Sequence, residues 1–337
     1  MRMLAASTLL LIAAPLFAED GYLRYLPSDT KVVFTIQVAR LPESDREQGK
    51  AILRDAYKRH LCPTLTDDDA LPLGDLDQMV LALPYAGTLN GLILIRGKID
   101  REKFEAQMDR AVKAGRRITS TRMGTPPVTV YRCRLDEKAM LAAAPALAKA
   151  PAVARKLVVP QDVHIAVLDD RTLIASLGGS LAVKRALSSR PAKSELRIPA
   201  ELAKQLRVEY KADTTTLILM EDSLLPGLQL IADDETKETF DQFEYVRFHI
   251  RGGKSTEIET VVQGKSADLG LTLEKKAARV LEVIREKLPE VMPDETRRKV
   301  VDTLVKSFRV TRKGEKVTIM GTLSAAESKK FVEGGKK

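Results

Sequence analysis

The segment from Gly91 to Lys98 has two glycines and a lysine in the order that a phosphate-binding loop uses. In that motif glycine amides cradle the phosphates, and a serine or threonine after the lysine binds magnesium. Here five residues separate Gly91 from Gly97 where the motif has four, and Ile99 follows the lysine. The residues between the glycines favour a strand. We therefore predict a strand and no nucleotide site.

Ser180 follows the pair Gly178-Gly179, which is similar to the turn that presents a hydrolase nucleophile. That turn requires glycine two residues after the serine, where this chain has Ala182. A serine that caps a helix accounts for the position without any chemistry. We predict that Ser180 begins a helix.

The histidines and consecutive aspartates do not form a coherent reactive set. His164 and His249 fall inside predicted strands, whereas His60 lies two residues from Cys62. A thiol nucleophile needs a base held in place, and a disulfide would consume the thiol. The run of aspartates at residues 67–69 lacks the alternating ligands and the glycine of a calcium loop. We predict no catalytic, cofactor-binding or metal-binding residues.

The chain has two cysteines, Cys62 and Cys133. A disulfide between them would close a loop of about 71 residues and contribute on the order of 4 kcal/mol if unstrained. Two buried thiols are the alternative, because the sequence does not set the distance between the two Cα atoms. Both possibilities stay open at this point.

Residues 1–18 have the layout of a secretory signal peptide. Arg2 supplies a positive start, an apolar run follows, and Ala18 offers a small residue at a cleavage point. Removing eighteen of the 337 residues leaves 319, which suits one large domain or two of ordinary size. We predict export to the periplasm or the medium, with no transmembrane segment in the mature chain.

The formal charge is +9, and basic pairs such as Arg116-Arg117 and Lys184-Arg185 are scattered along the chain. Because acidic residues are interleaved with the basic ones, the simplest interpretation is a solvated surface of mixed charge. The more specific interpretation is a surface that attracts anionic envelope polymers or lipid headgroups. Basic runs with interleaved aromatics are missing, which disfavours nucleic acid. The chain has no Trp and only 4% aromatic residues, which disfavours a lectin-like role.

The fold class predicted from patterning is α+β, with two related halves that each form an antiparallel sheet with helices packed on one face. The halves are residues 19–190 and 200–334, and they repeat three local signals. The first is an Asp-Thr pair before a strand, and the second is a glycine followed by lysine before a helix. The third is a serine at a helix start. In chain order the pairs are Asp29-Thr30 and Asp213-Thr214, Arg96-Gly97-Lys98 and Gln263-Gly264-Lys265, and Ser180 and Ser324. A chance match of common hairpin–helix units is the alternative. Residues 139–160, rich in alanine and broken by prolines, are either a connector or a partner-binding flap.

These turn and cap signals resemble a class of uncharacterised exported bacterial α+β proteins. The resemblance rests on residues 26–30, on residues 96–105 and on residues 169–175 before the Ser180 helix. It implies export and an α+β fold, and it implies no activity, cofactor or catalytic residue.

The function predicted from these observations is a non-catalytic binding or structural role in the cell envelope. The expected partner is an envelope protein or an anionic polymer. Two alternatives remain: a hydrolase whose acid and base residues converge only in space, and a periplasmic chaperone or carrier of apolar cargo. A deep pocket with clustered ionisable groups would favour the first alternative, and an open apolar cavity the second.

Overall fold

The computed structural model describes residues 20–43, 46–47, 50–51, 73–84, 91–115, 117–135, 162–177, 179–188, 198–208, 212–220, 242–291 and 295–333. The chain forms two compact units, Met1–Tyr210 and Lys211–Lys337. The helix Ala200–Val208 lies in the first unit, whereas the second half is predicted to start at residue 200.

Unit 1 contains an antiparallel sheet with seven described strands in the order β1-β2-β3-β7-β6-β5-β4. The strands are β1 Val32–Ile36, β2 Leu73–Leu83, β3 Leu92–Ile99, β4 Ile118–Met123, β5 Val128–Arg134, β6 Asp162–Asp169 and β7 Thr172–Leu177. Its described helices are α1 Arg101–Lys113, α2 Leu181–Ser188 and α3 Ala200–Val208, with 3₁₀ turns at Asp20–Tyr25 and Val38–Arg40.

Unit 2 contains an antiparallel sheet with five described strands in the order β8-β9-β10-β12-β11. The strands are β8 Thr214–Leu219, β9 Phe243–Arg251, β10 Ser255–Gly264, β11 Arg309–Lys313 and β12 Lys316–Ser324. Its described helices are α4 Ala267–Val291, α5 Glu295–Ser307 and α6 Ala325–Glu333. The predicted α+β class is confirmed.

Each sheet contains a bulge at a corresponding place. In unit 1, Gly97 pairs with Leu76 while its neighbour Arg96 pairs with Gln78, so Asp77 is the extra residue on β2. In unit 2 the pairing shifts by one residue next to Gly264, which leaves Glu244 as the extra residue on β9. A bulge of this kind adds local twist and interrupts the ladder.

The glycine at each bulge also meets the turn of the last hairpin of its unit. The Gly97 amide donates to the carbonyl oxygen of Arg171 at 3.1 Å, between β6 and β7. The Gly264 amide donates to the carbonyl oxygen of Glu315 at 3.0 Å, between β11 and β12. In both units the third strand therefore ends against the tip of the closing hairpin.

Local signals start two helices as predicted. The Asp100 carboxylate accepts a 2.9 Å hydrogen bond from the Lys103 amide and caps α1. Ser324, predicted at a helix start, forms a capping box with Glu327 at α6, in which the Ser324 amide donates to the Glu327 carboxylate at 2.8 Å. Each cap satisfies amide groups that a helix start leaves without an intrahelical partner.

The helices of unit 1 lie on both faces of its sheet, which differs from the predicted single face. Helix α1 packs against the face that carries Ile93 and Tyr131. Leu181 of α2 shares a cleft with Leu92, whose side chain lies on the other face because side chains alternate along a strand. The residues of β6 from 163 to 168 are all buried, so the strand is covered on both faces.

The helices α4 and α6 of unit 2 pack on one face, as predicted. Leu269 and Leu273 of α4 form a buried cluster with Phe243 and Val317, against which Val262 packs. On the same face, the Thr256 hydroxyl lies 2.9 Å from the hydroxyl of Ser328 in α6.

Among the described helices, none has the length and apolar character needed to cross a membrane.

Candidate anion-binding site

The structure places most of the sequence-selected residues in ordinary structural roles. Gly91 precedes β3 and the rest of that segment lies in the strand, so the strand prediction is confirmed. Ser180 precedes α2, and its carbonyl oxygen accepts the Lys184 amide at 2.9 Å, as at a helix start. His164 and His249 lie in β6 and β9, as predicted.

The remaining candidates lie partly or wholly outside the described residues. These are His60, Cys62, the aspartates at 67–69 and the alanine-rich segment at 139–160. Cys133 is buried on β5, and because Cys62 is not described, the disulfide stays a prediction. Within the described ranges, His, Cys, Asp and Glu side chains do not gather in a group of three that could hold a metal ion.

One buried polar cluster in unit 2 has the residue types of acid–base chemistry. The Thr215 hydroxyl lies 2.9 Å from Nδ1 of His249, and Glu259 pairs opposite His249 on β10. Glu259 also lies 4.0 Å from the Arg247 guanidinium. Thr215 and His249 are at most 2% exposed, which leaves a substrate no access to them. The cluster therefore acts as a hydrogen-bonded layer that fixes strand register.

The cluster predicts a stability that depends on pH. Burial first, and then the positive Arg247 and Arg251, lower the pKa of His249 from 6.5 to about 4. The unfolded chain therefore takes up this proton first, so protonation favours unfolding. The contribution is complete above pH 6.5 and is lost as the pH falls toward 4. We expect the free energy of unfolding to fall by about 2–3 kcal/mol between pH 7 and pH 4 through this group.

Denaturant titrations at several pH values between 7 and 4 check this expectation, with His249→Gln as the comparison. The variant should lose less stability over that range than the native chain, whatever its stability at pH 7. Parallel pH profiles for the two proteins would contradict the assignment.

The β4–β5 hairpin carries an unusual concentration of one charge. Residues 117–135 contain four arginines, namely Arg117, Arg122, Arg132 and Arg134, and no aspartate or glutamate. Strand β4 is the last strand of its sheet, and its residues 119–122 are exposed. Positive side chains on an edge strand oppose pairing with other strands, which is one reason for a basic edge.

Three of the four arginines project from one face of the hairpin, which we call the arginine face (Arg117, Thr119, Arg132 and Arg134). Arg134 pairs with Arg117, to whose carbonyl oxygen its amide donates at 2.9 Å, and Arg132 pairs with Thr119. Side chains alternate along a strand, so Tyr131 and Cys133 point to the α1 side. Arg122 pairs with Thr129 and lies on that other side too.

Asp162 supplies the negative charge on the arginine face. Its Oδ2 accepts a 2.7 Å hydrogen bond from the Arg132 guanidinium, and its side chain is 17% exposed. The hydrogen bond to Asp162 raises the pKa of Arg132. The contact holds Arg132 in one orientation while leaving it 53% exposed, so the guanidinium still faces solvent.

His164 extends the same face toward the interior of the sheet, where it pairs with Arg132. Burial lowers the pKa of His164. The negative charge of Asp162 raises this pKa by a smaller amount, and the positive charge of Arg132 lowers it further. The imidazole is therefore neutral at pH 7 and adds no positive charge to the face.

The arginine face borders a shallow depression of about 240 Å³ lined by Arg117, Ile118, Thr119, Arg132, Arg134 and Asp162. Three guanidinium groups and one carboxylate give it a net charge of about +2. Guanidinium groups donate paired hydrogen bonds to carboxylate and phosphate oxygens, so this surface can bind anions.

From the sequence alone, Arg117 is a member of one of several basic pairs on a mixed surface. A sharper signal was present, because Arg132 and Arg134 alternate in a strand within a stretch without acids. The partner strand β4 was not predicted, so the contribution of Arg117 to the same face could not be seen.

No family model, curated protein or solved structure gives a significant match to this chain. The interpretation of the site accordingly rests on its own residues and their geometry.

Proposed function

We propose that the protein is an exported, non-catalytic component of the cell envelope that binds an anionic polymer through the arginine face. The supporting observation is the convergence of Arg117, Arg132 and Arg134 around one depression, to which the described part of the chain contributes one carboxylate, that of Asp162. The secretory leader pattern supports export to the envelope. The net charge of +9 favours a negatively charged partner.

We also infer that the two units are related copies of one α+β unit. Both have a first strand, a bulged hairpin, a helix, and a closing hairpin whose second strand pairs with the third strand. Both also have a glycine amide bonded to the closing turn. Independent hairpins would not be expected to place an extra acidic residue at the same bulge.

This correspondence sets the β4–β5 hairpin apart. It lies between α1 and β6, where unit 2 has α5 between α4 and β11. The arginine face is thus carried by an element that the second copy lacks. Binding residues are often placed on elements added to a shared scaffold, which supports a binding role for the hairpin.

The first test measures binding of polygalacturonate, a carboxylate polymer, to the mature chain and to single-charge variants. Arg117→Gln is expected to weaken binding about fivefold, and Arg117→Gln with Arg134→Gln about tenfold or more, because each removes a charge-assisted hydrogen bond. Arg122→Gln is the matched control, since it removes the same charge from the same hairpin but from the opposite face. It should change affinity less than about twofold.

Equal losses in Arg117→Gln and Arg122→Gln would show that only the net charge matters, and would contradict a defined binding face. Fractionation of the source cells tests the compartment separately. An unprocessed chain retained in the cytosol would remove the envelope from the proposal.

The carrier alternative is less well supported by the described cavities. An apolar cleft beside α2 is lined by Pro27, Ala82, Leu92 and Leu181 among others, and it encloses about 190 Å³. That volume is slightly larger than a cavity of roughly 150 Å³ that holds a single benzene molecule. A cleft of this size suits no more than a small side chain or ring, whereas a carrier of apolar cargo needs more room.

A further inference from the structure

Resting on the proposed function, we infer that the arginine face binds a phosphomonoester group rather than isolated carboxylates. The inference concerns the chemical class of the anion that Arg117, Thr119, Arg132 and Arg134 recognise. It depends on the relative positions of these residues across β4 and β5, and on the charge they leave uncompensated.

The first argument is the opposition of like charges. Arg117 directly precedes β4 and lies opposite Arg134, to which its carbonyl oxygen is hydrogen-bonded, and Cβ atoms of residues opposed in this way are typically about 5 Å apart. Among the described residues neither guanidinium makes an ion pair, because Asp162, which lies opposite Arg134 on β6, bonds to Arg132 instead. Like charges directly opposite each other destabilise a strand pair. A bound anion between the two guanidiniums reverses that cost.

The amount of charge at the depression favours a doubly charged anion. Among the described residues that line the depression, three arginines and Asp162 leave about two positive charges. A phosphomonoester carries about −1.5 to −2 at pH 7, which matches this surplus in a single group. A carboxylate, a sulfate monoester and a phosphodiester each carry only −1, so one such group leaves a guanidinium uncompensated.

The directions from which the donor groups approach favour an anion with three terminal oxygens. Arg117 approaches from the start of β4 and Arg134 from β5, and Thr119 of β4 lines the same depression. A phosphomonoester presents three terminal oxygens on different sides, so each guanidinium can donate to its own oxygen pair. A carboxylate has two oxygens in one plane and accepts a single guanidinium in the paired geometry.

Asp162 has a defined role in this arrangement. It holds the Arg132 guanidinium at 2.7 Å and leaves that group exposed along the wall of the depression. Arg132 is therefore a positioning and charge-supplying residue, whereas Arg117 and Arg134 are the groups that donate directly to the phosphate. Replacing Asp162 by Asn removes a competing negative charge, and we expect phosphate affinity to rise severalfold.

The test titrates the mature chain with three small probes by calorimetry: glycerol 3-phosphate, glucose 6-sulfate and glucuronate. Glycerol phosphate is expected to bind about tenfold more tightly than the two singly charged probes. Arg117→Gln and Arg134→Gln should each lose at least about fivefold, and Arg122→Gln should stay within about twofold. These exposed arginines leave the buried core untouched, and circular dichroism verifies that each variant folds.

The outcomes separate this inference from the proposed function. Equal binding of glycerol phosphate and glucuronate, with dependence on Arg117 retained, would overturn the phosphomonoester inference and leave anion binding in place. Loss of Arg117 dependence for every probe, polygalacturonate included, would overturn both. A decrease in phosphate affinity in Asp162→Asn with intact folding would also contradict the charge argument.

Phosphomonoesters in an envelope occur on lipids and on soluble or polymeric glycans, and vesicles distinguish these sources. Recruitment to vesicles containing phosphatidic acid, but not phosphatidylglycerol, would support the inference with a lipid as the source. Binding of glycerol phosphate without vesicle recruitment would support it with a glycan or a free phosphate as the source. Equal recruitment to both vesicles would contradict it, because phosphatidylglycerol is a diester.

Discussion

Replacing Gly97 by alanine is expected to lower the free energy of unfolding of unit 1 by about 3 kcal/mol or more. An added Cβ would overlap the carbonyl oxygen of Asp75 and lie 2.8 Å from the Cα atom of Leu76. Both are backbone atoms at the β2 bulge, so no side-chain rotation relieves the clash. The bulge or the β2–β3 pairing has to shift.

Two glycines provide controls for this substitution. Gly179→Ala meets no atom within 4 Å and should change the free energy of unfolding by less than about 1 kcal/mol. Gly264→Ala, at the corresponding bulge of unit 2, meets the Leu269 Cδ2 atom at 2.8 Å, and that side chain can move. Its cost should fall between those of the other two. Denaturant unfolding followed by circular dichroism measures all three.

A small effect of Gly97→Ala, equal to that of Gly179→Ala, would contradict the close approach of β3 to the bulge. Because the chain has two compact units, hydrogen exchange of β3 and β10 amides assigns each loss to its unit. Destabilisation of Gly97→Ala should appear first in the β3 amides.

Phe104→Ala is expected to cost unit 1 about 3–5 kcal/mol. The ring is 1% exposed and lies edge-on to Tyr131, with 6.0 Å between ring centroids. Its removal leaves a cavity between α1 and the sheet. The Tyr131 hydroxyl donates to the Asp109 carboxylate at 3.0 Å and still links α1 to β5, which limits how far the helix can collapse into the space.

Phe248→Ala is the matched control, because the same atoms are removed from a ring that is 36% exposed on β9. It should cost less than about 1.5 kcal/mol. Thermal unfolding and denaturant titration measure both variants, and Phe104→Leu should recover part of the loss. Similar costs for Phe104→Ala and Phe248→Ala would show that α1 does not pack on the sheet as described.

The phosphate inference and these stability predictions are independent. The arginine face is exposed at the edge of unit 1, whereas Gly97 and Phe104 act in its interior. Variants of Gly97 and Phe104 are therefore expected to lose stability while they keep phosphate binding. Variants of the arginine face are expected to lose phosphate binding while they keep their stability.

The sequence by itself determined the local elements. Asp100 and the Ser324–Glu327 pair start helices because a capping side chain needs only the next three residues. The β6–β7 hairpin follows from the local sequence, because a tight polar turn, including Arg171, joins two apolar runs. The overall α+β class follows from such signals, since each depends on residues close together in the chain.

Only the tertiary structure decided which strands are neighbours. An alternating pattern indicates which side chains share a face of one strand, and it does not indicate which strand lies beside it. β4 was not predicted, and without it Arg117 could not be placed opposite Arg134. α2 lies on the second face of the unit 1 sheet for the same reason, since a continuously apolar β6 does not specify which element covers each side.

The sequence therefore contains the residues of the candidate site but does not show that they come together. Arg117 and Arg132 are far apart in the chain relative to a capping motif, and Asp162 is 30 residues from Arg132. Their convergence depends on the order β6-β5-β4, which is set by the packing of whole strands. Local preferences shape each element, and long-range burial chooses how the elements meet.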